Sequence, residues 1–466
     1  MALNIVIMAA GKGTRMRSLR PKVLHTLAGR PLLQHVLDAV ASLGATRTIV
    51  VTGHGAAEVE QRMQAEGVTF VRQQPQLGTG HALQQAAPQL DDDGVTLILN
   101  GDVPLVRTET LSALVSACAG ERLALLTVHL DDPRGYGRIV RRGAGADGAG
   151  AADVPIDAIV EDKDATPDQR DIGEVYTGAM AAPTQALKRW LAGLRNDNAA
   201  GEYYLTDVVA MAVAEGIAVT GVSAASETEV LGVNSPLQLA DLERRHQLAT
   251  AERLMSEGVR LADPARLDVR GELVCGSDVE IDVGCIFEGR VELGDGVRVG
   301  AYCVIRNAAV AAGATLRPYS HIDGESLGVR VGAGAIVGPF ARLRGGAVLG
   351  ENVHIGNFVE VKNATLAAGA KANHLAYIGD ADLGERVNFG AGAITANYDG
   401  ARKHRTTVGA DAHIGSNSVL VAPVEIGAGA TIGAASTISR AAPAGQLTVA
   451  RARAVTLAGW KRPTKG

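Results

Sequence analysis

Short apolar runs alternate with amphipathic segments over residues 1 to about 235. Four runs are rich in valine, isoleucine and leucine, as buried parallel strands are: LNIVIMAAG (3–11), RTIVVTGHG (47–55), VTLILNGDVPL (95–105) and RLALLTVHL (122–130). Between the first two, PLLQHVLDAVASLG (31–44) has helical spacing and ends in Gly44, which predicts a helix. Alternating strands and helices predict a doubly wound, Rossmann-like α/β sheet that binds ligands at the carboxyl ends of its strands.

Two segments mark the end of this pattern. The stretch RRGAGADGAGAAD (141–153) has the composition of a surface loop. The stretch LQLADLERRHQLATAERLMSEG (237–258) is charged and helical in pattern, and we interpret it as a connecting helix. The predicted organisation is therefore a first domain over 1–236, a linker helix over 237–258 and a second domain over 259–466.

Beyond about residue 270, an aliphatic residue recurs at every sixth position and is often followed by glycine. The series are Val331, Val337, Leu343, Leu349, Ile355 and Val361; Val408, Ile414, Leu420, Ile426, Ile432 and Ile438; and Leu293, Val299 and Ile305. No α-helix keeps such a stripe on one face, whereas a triangular parallel β-helix does, because each hexapeptide forms one side. The 57 glycines and the aromatic content of 3% agree with this narrow aliphatic core.

The hexapeptide series is interrupted twice. It slips between Val361 and Ile378, over a stretch containing KANHLAYIGD, and Val408 follows Thr395 by thirteen positions where six or twelve would fit. We expect the second stretch, TANYDGARKHRTTV, to protrude as a loop. Insertions of this kind often form the binding face of a repeat protein.

The overall composition argues against several classes of protein. With 45 basic and 50 acidic residues the formal net charge is -5, which argues against a nucleic-acid-binding protein. Four cysteines exclude a disulfide framework and favour a cytoplasmic location; Cys275, Cys285 and Cys303 lack a zinc-ligand spacing and are interpreted as apolar core residues. The first apolar run is too short to span a membrane and leads into Gly11 and Lys12, so we expect a strand rather than a signal peptide, and no membrane insertion.

The stretch MAAGKGTRMRSLRPK (8–22) joins the first predicted strand to a glycine-rich, cationic turn. It is not a Walker A motif, and Met16 stands where a dinucleotide fingerprint needs its third glycine. Such a turn can bind a phosphate through its backbone amides, with Arg15 suited to bidentate contact and Lys22 acting as a point charge. Two cations beside a glycine turn are also compatible with simple solvation.

The pattern G-x-G-T-R-M followed by Pro21-Lys22 resembles the signature of sugar-nucleotide pyrophosphorylases. In that family a sugar 1-phosphate attacks the α-phosphorus of a nucleoside triphosphate and pyrophosphate leaves. The resemblance implies that Arg15, Lys22 and Mg²⁺ neutralise the phosphates. It also makes Asp102 of NGDVPL a metal ligand, although an aspartate there is equally typical of a turn.

Further motifs, QQPQLGTGHA, GYGRI, IVEDKDAT, GEYYLTD, GVNSP and KANHLAYIGDA, resemble in order those of bacterial bifunctional N-acetylglucosamine-1-phosphate uridyltransferases and glucosamine-1-phosphate acetyltransferases. The resemblance covers essentially the whole chain and implies a left-handed parallel β-helix. It implies uracil contacts from Gln73, Gly78 and Thr79, and sugar contacts from Gly137 and Glu161. The remaining implied contacts to UTP or the UDP-sugar are Ala9, Ala10, Gly11, Lys22 and Asn234, with Asn234 also joining Asp102 at Mg²⁺.

The chain departs from this family at one point. Many members have Asn-Thr-Gly where this chain has Tyr176-Thr177-Gly178. A phenol cannot offer the paired donor and acceptor of an amide. Tyr176 is therefore left out of the predicted sugar contacts.

In the second domain the resemblance makes His374 the general base that deprotonates the amino group of glucosamine-1-phosphate, a role that suits an imidazole near neutral pH. A lone histidine in a β-helix is otherwise usually structural, and RKHR (402–405) is otherwise a solvated loop. Arg344 and Lys362 would hold the phosphate, and Tyr377 and Asn388 the sugar. The N–H of Ala391 would stabilise the oxyanion. The remaining implied contacts to acetyl-CoA are Asn397, Tyr398, Lys403, Ser416, Ala434 and Arg451. Direct transfer needs no acyl-enzyme, and no cysteine lies near these motifs.

The resemblance also implies a homotrimer, with UTP and acetyl-CoA as co-substrates. One alternative is a pyrophosphorylase for another sugar 1-phosphate whose β-helix is regulatory; His374, Tyr377, Asn397 and Tyr398 together disfavour it. Another is a non-catalytic assembly subunit, which the retention of Arg15, Lys22 and Asp102 disfavours.

Overall fold

The computed structural model describes residues 1–142, 154–198 and 201–464, which fall into two compact units, Met1–His246 and Gln247–Gly466. The loop predicted over 141–153 lies outside the described residues from 143 onward. At Arg141 that prediction is wrong, because Arg141 ends a strand. The predicted connecting helix forms as Pro236–Ser256, and the division between the units falls inside it.

The described part of the first unit contains one sheet of nine strands. Along the main path the strands are ordered Val219–Ser223, Leu123–His129, Glu174–Pro183, Gly94–Asn100, Ala2–Ala9, Arg47–Thr52 and Val68–Arg72. Neighbours on this path are parallel except Glu174–Pro183, which is antiparallel to both of its neighbours. Arg138–Arg141 and Ile156–Val160 pair antiparallel beside it. The four predicted strands are thus confirmed.

Helices cover both faces of this sheet. Ile5 and Ile7 pack into the core on one face and Val6 into the core on the other, all fully buried, as expected for a central strand. The helix predicted over 31–44 ends at Val40, because the Ala41 N–H turns back to the Asp38 carbonyl and tightens the last turn. The other helices of the unit are Ala56–Arg62, Thr79–Ala86, Thr108–Cys118, Pro167–Arg170, Thr184–Gly193, Asp207–Ala214 and Glu227–Val230, with 3-10 turns at Thr14–Met16, Lys22–Leu24 and Ala87–Gln89 and a small ribbon of Thr26–Leu27 and Arg30–Pro31.

A buried ion pair joins two strands of this sheet. Arg141 Nε and Nη2 donate to the two carboxylate oxygens of Glu174 at 2.8 and 2.7 Å, and both side chains are 6% exposed. Burial is the largest influence and raises the pKa of Glu174, but the hydrogen bonds from Arg141 and Thr127 and the nearby charge of Arg141 together outweigh it, so the pKa is lowered. The pair is therefore charged and shielded from water.

Replacing Glu174 with Gln should lower the free energy of unfolding by about 3–5 kcal/mol, because the buried ion pair between Glu174 and Arg141 is lost. Denaturant unfolding at pH 7 measures this loss. The exposed pair of Arg142 and Asp157, one position along the chain, provides the control. Arg142→Met should barely move the unfolding midpoint, since water screens exposed pairs.

The effect of Glu174→Gln on the free energy of unfolding should depend on pH. Because the folded pKa of Glu174 is lowered, the pair contributes fully above the ordinary glutamate pKa of about 4.3 and loses its contribution as pH falls below it. The stability difference between wild type and Glu174→Gln should therefore shrink below about pH 4. A difference that stays constant down to pH 3 would argue against an ionic contribution.

In the second unit the strands form a parallel β-helix with three faces. One face is an 11-stranded sheet: Arg260–Leu261, Glu280–Ile281, Arg298–Val299, Thr315–Leu316, Ile336–Val337, His354–Asn357, Lys371–His374, Asn388–Phe389, His413–Ile414, Thr431–Ile432 and Leu447–Thr448. Three long strands bend around a corner between the other two faces: Leu267–Cys275, Cys285–Leu293 and Val304–Val310. A 3-10 turn at Pro264–Arg266 precedes them.

The second face continues from these long strands through His321–Asp323, Arg342–Arg344, Glu360–Lys362, Tyr377–Gly379, Ile394–Ala396, Val419–Val421 and Thr437–Ile438. The third face continues through Val329–Val331, Val348–Leu349, Thr365–Leu366, Ala381–Leu383, Thr406–Val408 and Val424–Ile426. All the aliphatic residues of the predicted six-residue series are buried in one core cluster. The predicted hexapeptide β-helix is confirmed.

Both interruptions of the hexapeptide series have a structural cause. Lys371 pairs with His354 and Asn388 pairs with Lys371, seventeen positions apart, so these coils are one residue shorter than the eighteen of Glu280 to Arg298. The series therefore slips there. Of the loop predicted over 395–408, residues 397–405 lie between two strands, and we call them the protruding loop; the ends of the predicted stretch belong instead to the strands Ile394–Ala396 and Thr406–Val408.

Two further groups of side chains in this unit are the cysteines and a row of stacked aromatic rings. The Cys285 and Cys303 thiols are buried, as predicted, whereas Cys275 is only partly buried against the same core. Burial raises the pKa of Cys285 to about 11 and that of Cys303 to about 12. Along the corner between the first and second faces, exposed aromatic rings stack with centroids 5.0–5.5 Å apart. We call this set the corner ladder: Tyr302, Tyr319, Phe340 and Phe358.

Candidate active sites

The glycine-rich turn after the first strand packs directly against Lys22. Gly13 has a φ of +58°, and a Cβ on it would lie 2.8 Å from the Lys22 Cβ. Only a glycine fits there without displacing the lysine, which begins the 3-10 turn Lys22–Leu24. The backbone of the turn and the lysine are therefore held together at the carboxyl edge of the sheet.

Lys22 connects two other predicted site residues. Its ammonium donates to Asp102 Oδ2 and, at 3.2 Å, to Asn234 Oδ1. Asp102 follows the strand that pairs with the first strand, and its carbonyl accepts the Val233 N–H at 2.9 Å. The Asn234 N–H donates to Gln238 Oε1 at 2.9 Å, which fixes Asn234 at the start of the long helix.

A cleft of about 440 Å³ opens beside this cluster, a volume typical of a small-molecule site. Seven of the ten residues predicted to contact UTP or the UDP-sugar line it, together with the predicted metal ligand Asp102: Ala9, Ala10, Gly11, Lys22, Gln73, Gly78 and Thr79. Arg15 is exposed on the turn Thr14–Met16 and is not part of the lining. The structure also adds seven lining residues that were not predicted, of which four are polar: Lys12, Gln76, Asn100 and Glu202.

Hydrogen bonds fix the wall of the cleft where the uracil contacts were predicted. Gln73 is buried, and its Nε2 donates to the Gly78 carbonyl at 2.9 Å. Gln76 Nε2 donates to the Ala10 carbonyl at 2.8 Å and so ties this wall to the glycine-rich turn. Thr79 Oγ1 accepts the Leu205 N–H at 3.2 Å. The QQPQLGTG and GEYYLTD motifs are therefore neighbours in space.

The residues implied as sugar contacts form a second group in the same unit. A Cβ on Gly137 would lie 3.9 Å from Glu161 Oε1, which accepts a hydrogen bond from Thr206 at 3.1 Å. Tyr176 lies beside them, its N–H bonded to the Gly137 carbonyl at 2.9 Å. Burial, with a smaller contribution from Glu161, raises the pKa of Tyr176, and its hydroxyl has no hydrogen-bond partner among the described residues. None of the three lines the 440 Å³ cleft.

In the second unit, His374 ends a strand on the first face of the β-helix and borders a groove of about 430 Å³. Its Nδ1 lies 2.8 Å from Asn357 Oδ1, one coil earlier. An amide oxygen only accepts hydrogen bonds, so Nδ1 carries the proton and the Nε2 lone pair is left available. Asn357 was missed in the sequence analysis.

A cluster of cations lies on the second face. Arg344 bonds Glu325 and Glu360 at 3.2 and 3.3 Å. Burial, together with Arg344 and Lys403, lowers the pKa of Lys362, so Lys403 of the protruding loop approaches Lys362. Closely spaced positive charges of this kind suit a phosphate.

The predicted sugar contacts are divided between the faces. Tyr377 is on the second face, where its hydroxyl is 3.5 Å from Asn397 Nδ2; Asn397 also bonds Asp380. Asn388 is on the first face and donates to a ring nitrogen of His413 at 3.3 Å. Within one chain, therefore, His374 and Asn388 are not brought into one cavity with Arg344 and Lys362.

The predicted acetyl-CoA contacts lie along the last coils. Tyr398 is 62% exposed and forms a β-bridge with Lys403 in the protruding loop. Arg451 Nη1 donates to the Ala434 carbonyl at 2.8 Å. Ala391 is half-buried and Ser416 exposed.

The sheet with its glycine-rich turn places the first unit among the nucleotidyltransferases, and the hexapeptide coil places the second among transferases of that repeat class. Family models agree. The MobA-like NTP transferase domain matches residues 5–200, the GMPPB C-terminal domain 269–372, and the bacterial transferase hexapeptide (six repeats) 405–440.

Curated relatives match the chain over its whole length. It is 69% identical over 467 residues to the bifunctional protein GlmU of Methylibium petroleiphilum, covering 99% of each chain. It is 65% identical over 477 residues to that of Paracidovorax citrulli, covering 100% of this chain and 99% of the relative. The chain belongs to the bifunctional GlmU family. It is an enzyme of UDP-N-acetylglucosamine synthesis with acetyltransferase and uridyltransferase activities.

The described residues include neither a membrane-spanning helix nor a cluster of metal-ligating side chains of three or more members. None of their helices is long and apolar enough to cross a bilayer. No group of three or more histidine, cysteine, aspartate or glutamate side chains among them is arranged to hold a metal ion.

Proposed function

We propose that each activity resides in one unit, with acetyl transfer at His374 and uridylyl transfer at the cleft beside Lys22. The observation that carries this proposal is that each unit has its own cleft with chemistry suited to one of the two reactions. A cationic turn borders the cleft of the first unit, and an oriented imidazole borders the groove of the second.

In acetyl transfer, His374 Nε2 takes a proton from the amino group of glucosamine-1-phosphate. The nitrogen attacks the thioester carbon of acetyl-CoA, the carbon–sulfur bond breaks, and CoA leaves. The N–H of Ala391 would stabilise the oxyanion. Arg344, Lys362 and Lys403 would hold the sugar phosphate or the phosphates of CoA.

In uridylyl transfer, a phosphate oxygen of N-acetylglucosamine-1-phosphate attacks the α-phosphorus of UTP, and the bond to pyrophosphate breaks. Arg15 and Lys22 balance the charge on the phosphates. Gln73, Gly78 and Thr79 would recognise uracil, because an amide and backbone groups match its donors and acceptors.

Asp102 and Asn234 fit a Mg²⁺ site. Both supply the hard oxygen atoms that Mg²⁺ prefers, and both already converge on a positive charge, the Lys22 ammonium. Two protein ligands are sufficient, since Mg²⁺ usually completes its shell with phosphates and water. When bound, Mg²⁺ would supply further charge neutralisation at the phosphates.

We also propose that the chain assembles as a homotrimer. The predicted acceptor contacts point from two different faces of the β-helix, so a site containing both needs the face of a neighbouring copy. The corner ladder adds an exposed apolar surface beside His374, with rings 46–57% exposed. Sedimentation equilibrium of the full chain should give the mass of three chains.

Two assays on the purified protein test this function. Acetyl-CoA with glucosamine-1-phosphate should release CoA, and UTP with N-acetylglucosamine-1-phosphate should release pyrophosphate. Substituting dTTP or ATP for UTP should lower the second rate. Pyrophosphate release without any acetyl transfer would favour the alternative of a pyrophosphorylase with a regulatory β-helix.

Asn357 provides a sharper test of the acetyl site. Asn357→Ala should lower acetyl-transfer turnover about tenfold, because His374 loses the partner that fixes its tautomer. Asn357→Asp should restore much of the rate and raise the pKa of His374, since a carboxylate stabilises the imidazolium. The acidic limb of the pH–rate profile should therefore move to higher pH. A limb that does not move in Asn357→Asp would contradict the contact.

A further inference from the structure

The Lys22 ammonium occupies the point where the two proposed Mg²⁺ ligands converge. It donates to Asp102 Oδ2 and Asn234 Oδ1, and the side chains of Lys22 and Asp102 are only 14% and 17% exposed. A Mg²⁺ ion at this place would need the same oxygen lone pairs. The ion and the ammonium group therefore compete for one position.

Lys22 can leave this position without any change of fold. Its side chain lines the nucleotide cleft together with Asp102, and its stem is four flexible carbons long. A Cβ on Gly13 would meet the Lys22 stem from Cβ to Cδ, so the glycine-rich turn lies against the stem rather than the ammonium end. Phosphates bound in the cleft would offer the ammonium new negative partners.

We propose that Lys22 is a placeholder cation. In the free protein it neutralises Asp102 and keeps the two ligand oxygens directed at one point. The phosphates of UTP then draw the ammonium away, and only this opens the place to the metal. The inference rests on the proposed Mg²⁺ site and adds an order and a coupling to it.

Two consequences follow from electrostatics and linkage. The free protein binds a divalent ion weakly, because the ion must displace the ammonium or bear its repulsion at close range. Nucleotide and metal strengthen each other's binding by the same factor, since binding couplings are reciprocal. Without the ammonium, the affinity for the metal should therefore no longer depend on bound nucleotide.

The test measures Mn²⁺ binding to the full-length protein without nucleotide, by the electron paramagnetic resonance signal of free Mn²⁺. Lys22→Met should bind Mn²⁺ at least tenfold more tightly than wild type. Lys22→Gln serves as a second variant in case Lys22→Met does not fold, and Lys22→Arg should stay as weak as wild type because it keeps the charge. Lys12→Met is the matched control, since Lys12 lines the same cleft without bonding Asp102; its affinity should change less than threefold.

Asp102→Asn, alone and combined with Lys22→Met, separates the two possible failures. If Lys22→Met gains no affinity while Asp102→Asn weakens Mn²⁺ binding, the metal site stands and the placeholder role is refuted. If Asp102→Asn has no effect in either background, the Mg²⁺ assignment itself is refuted. Loss of the gained affinity in the double variant is the result that supports both.

Discussion

Replacing His374 with Ala should lower the turnover of acetyl transfer by about 10²–10⁴-fold, the usual contribution of a general base. Without the imidazole, the amino group of the acceptor has no group to take its proton as it attacks the thioester. Uridylyl transfer should keep its full rate, because His374 belongs to the second unit. CoA release and pyrophosphate release, measured on the same preparation, give both numbers.

His354 is the control for this experiment. It lines the same groove, and burial, Arg317, Lys371 and His374 lower its pKa, but it is not among the residues proposed to contact a substrate. His354→Ala should therefore change acetyl transfer by no more than a few-fold. Equal losses in the two variants would mean that the groove, rather than the base, had been damaged. A parallel fall in pyrophosphate release would contradict the assignment of separate sites.

Asp102→Asn should produce the opposite pattern, with uridylyl transfer lowered by about 10²–10³-fold and acetyl transfer unchanged. A metal ion stabilises phosphate charge by several kcal/mol, and each 1.4 kcal/mol is about tenfold in rate. An amide keeps the shape of the carboxylate but loses its charge, and because Lys22 is mostly buried, the fold of the variant is checked by its circular dichroism spectrum. Pyrophosphate release at saturating UTP measures the effect.

The control is another lysine–aspartate pair in the same unit. Asp92 bonds Lys188 at the surface, where the carboxylate is 64% exposed. Asp92→Asn should leave both reactions within a factor of two of wild type. If Asp102→Asn also retained its uridylyl transfer rate, neither the metal site nor the placeholder role of Lys22 could be sustained.

The β-helix could be predicted from the sequence because its period is local. Each aliphatic residue of the six-residue series points inward for the same steric reason, so fifteen positions agree on one architecture without any long-range information. The central strands of the first unit were equally evident, since they are buried on both faces. Their order in the sheet could not be predicted, because it depends on which crossovers pack.

The candidate sites were predicted less completely, for a geometric reason. Asn357 meets His374 only because that coil is seventeen residues long, and one residue more would place a different side chain beside the imidazole. Gln76 belongs to the QQPQLGTGHA motif, but its contact with the glycine-rich turn spans 66 positions and could not be read from the motif. The buried ion pair of Arg141 and Glu174 could not be predicted, because Arg141 begins the low-complexity stretch that was interpreted as a surface loop.

The positions at which the coil varies in length indicate where this architecture tolerates added peptide. The nine residues of 397–405 lie between a strand of the second face and a strand of the third, and the later members of the six-residue series, from Val408 to Ile438, still face inward. A single residue inserted within a strand would instead point the following inward-facing side chains to the outside, as a register slip does in any strand. The corners between faces are thus the places that accept grafted loops or epitopes, whereas an insertion within a face disturbs the register of its strands.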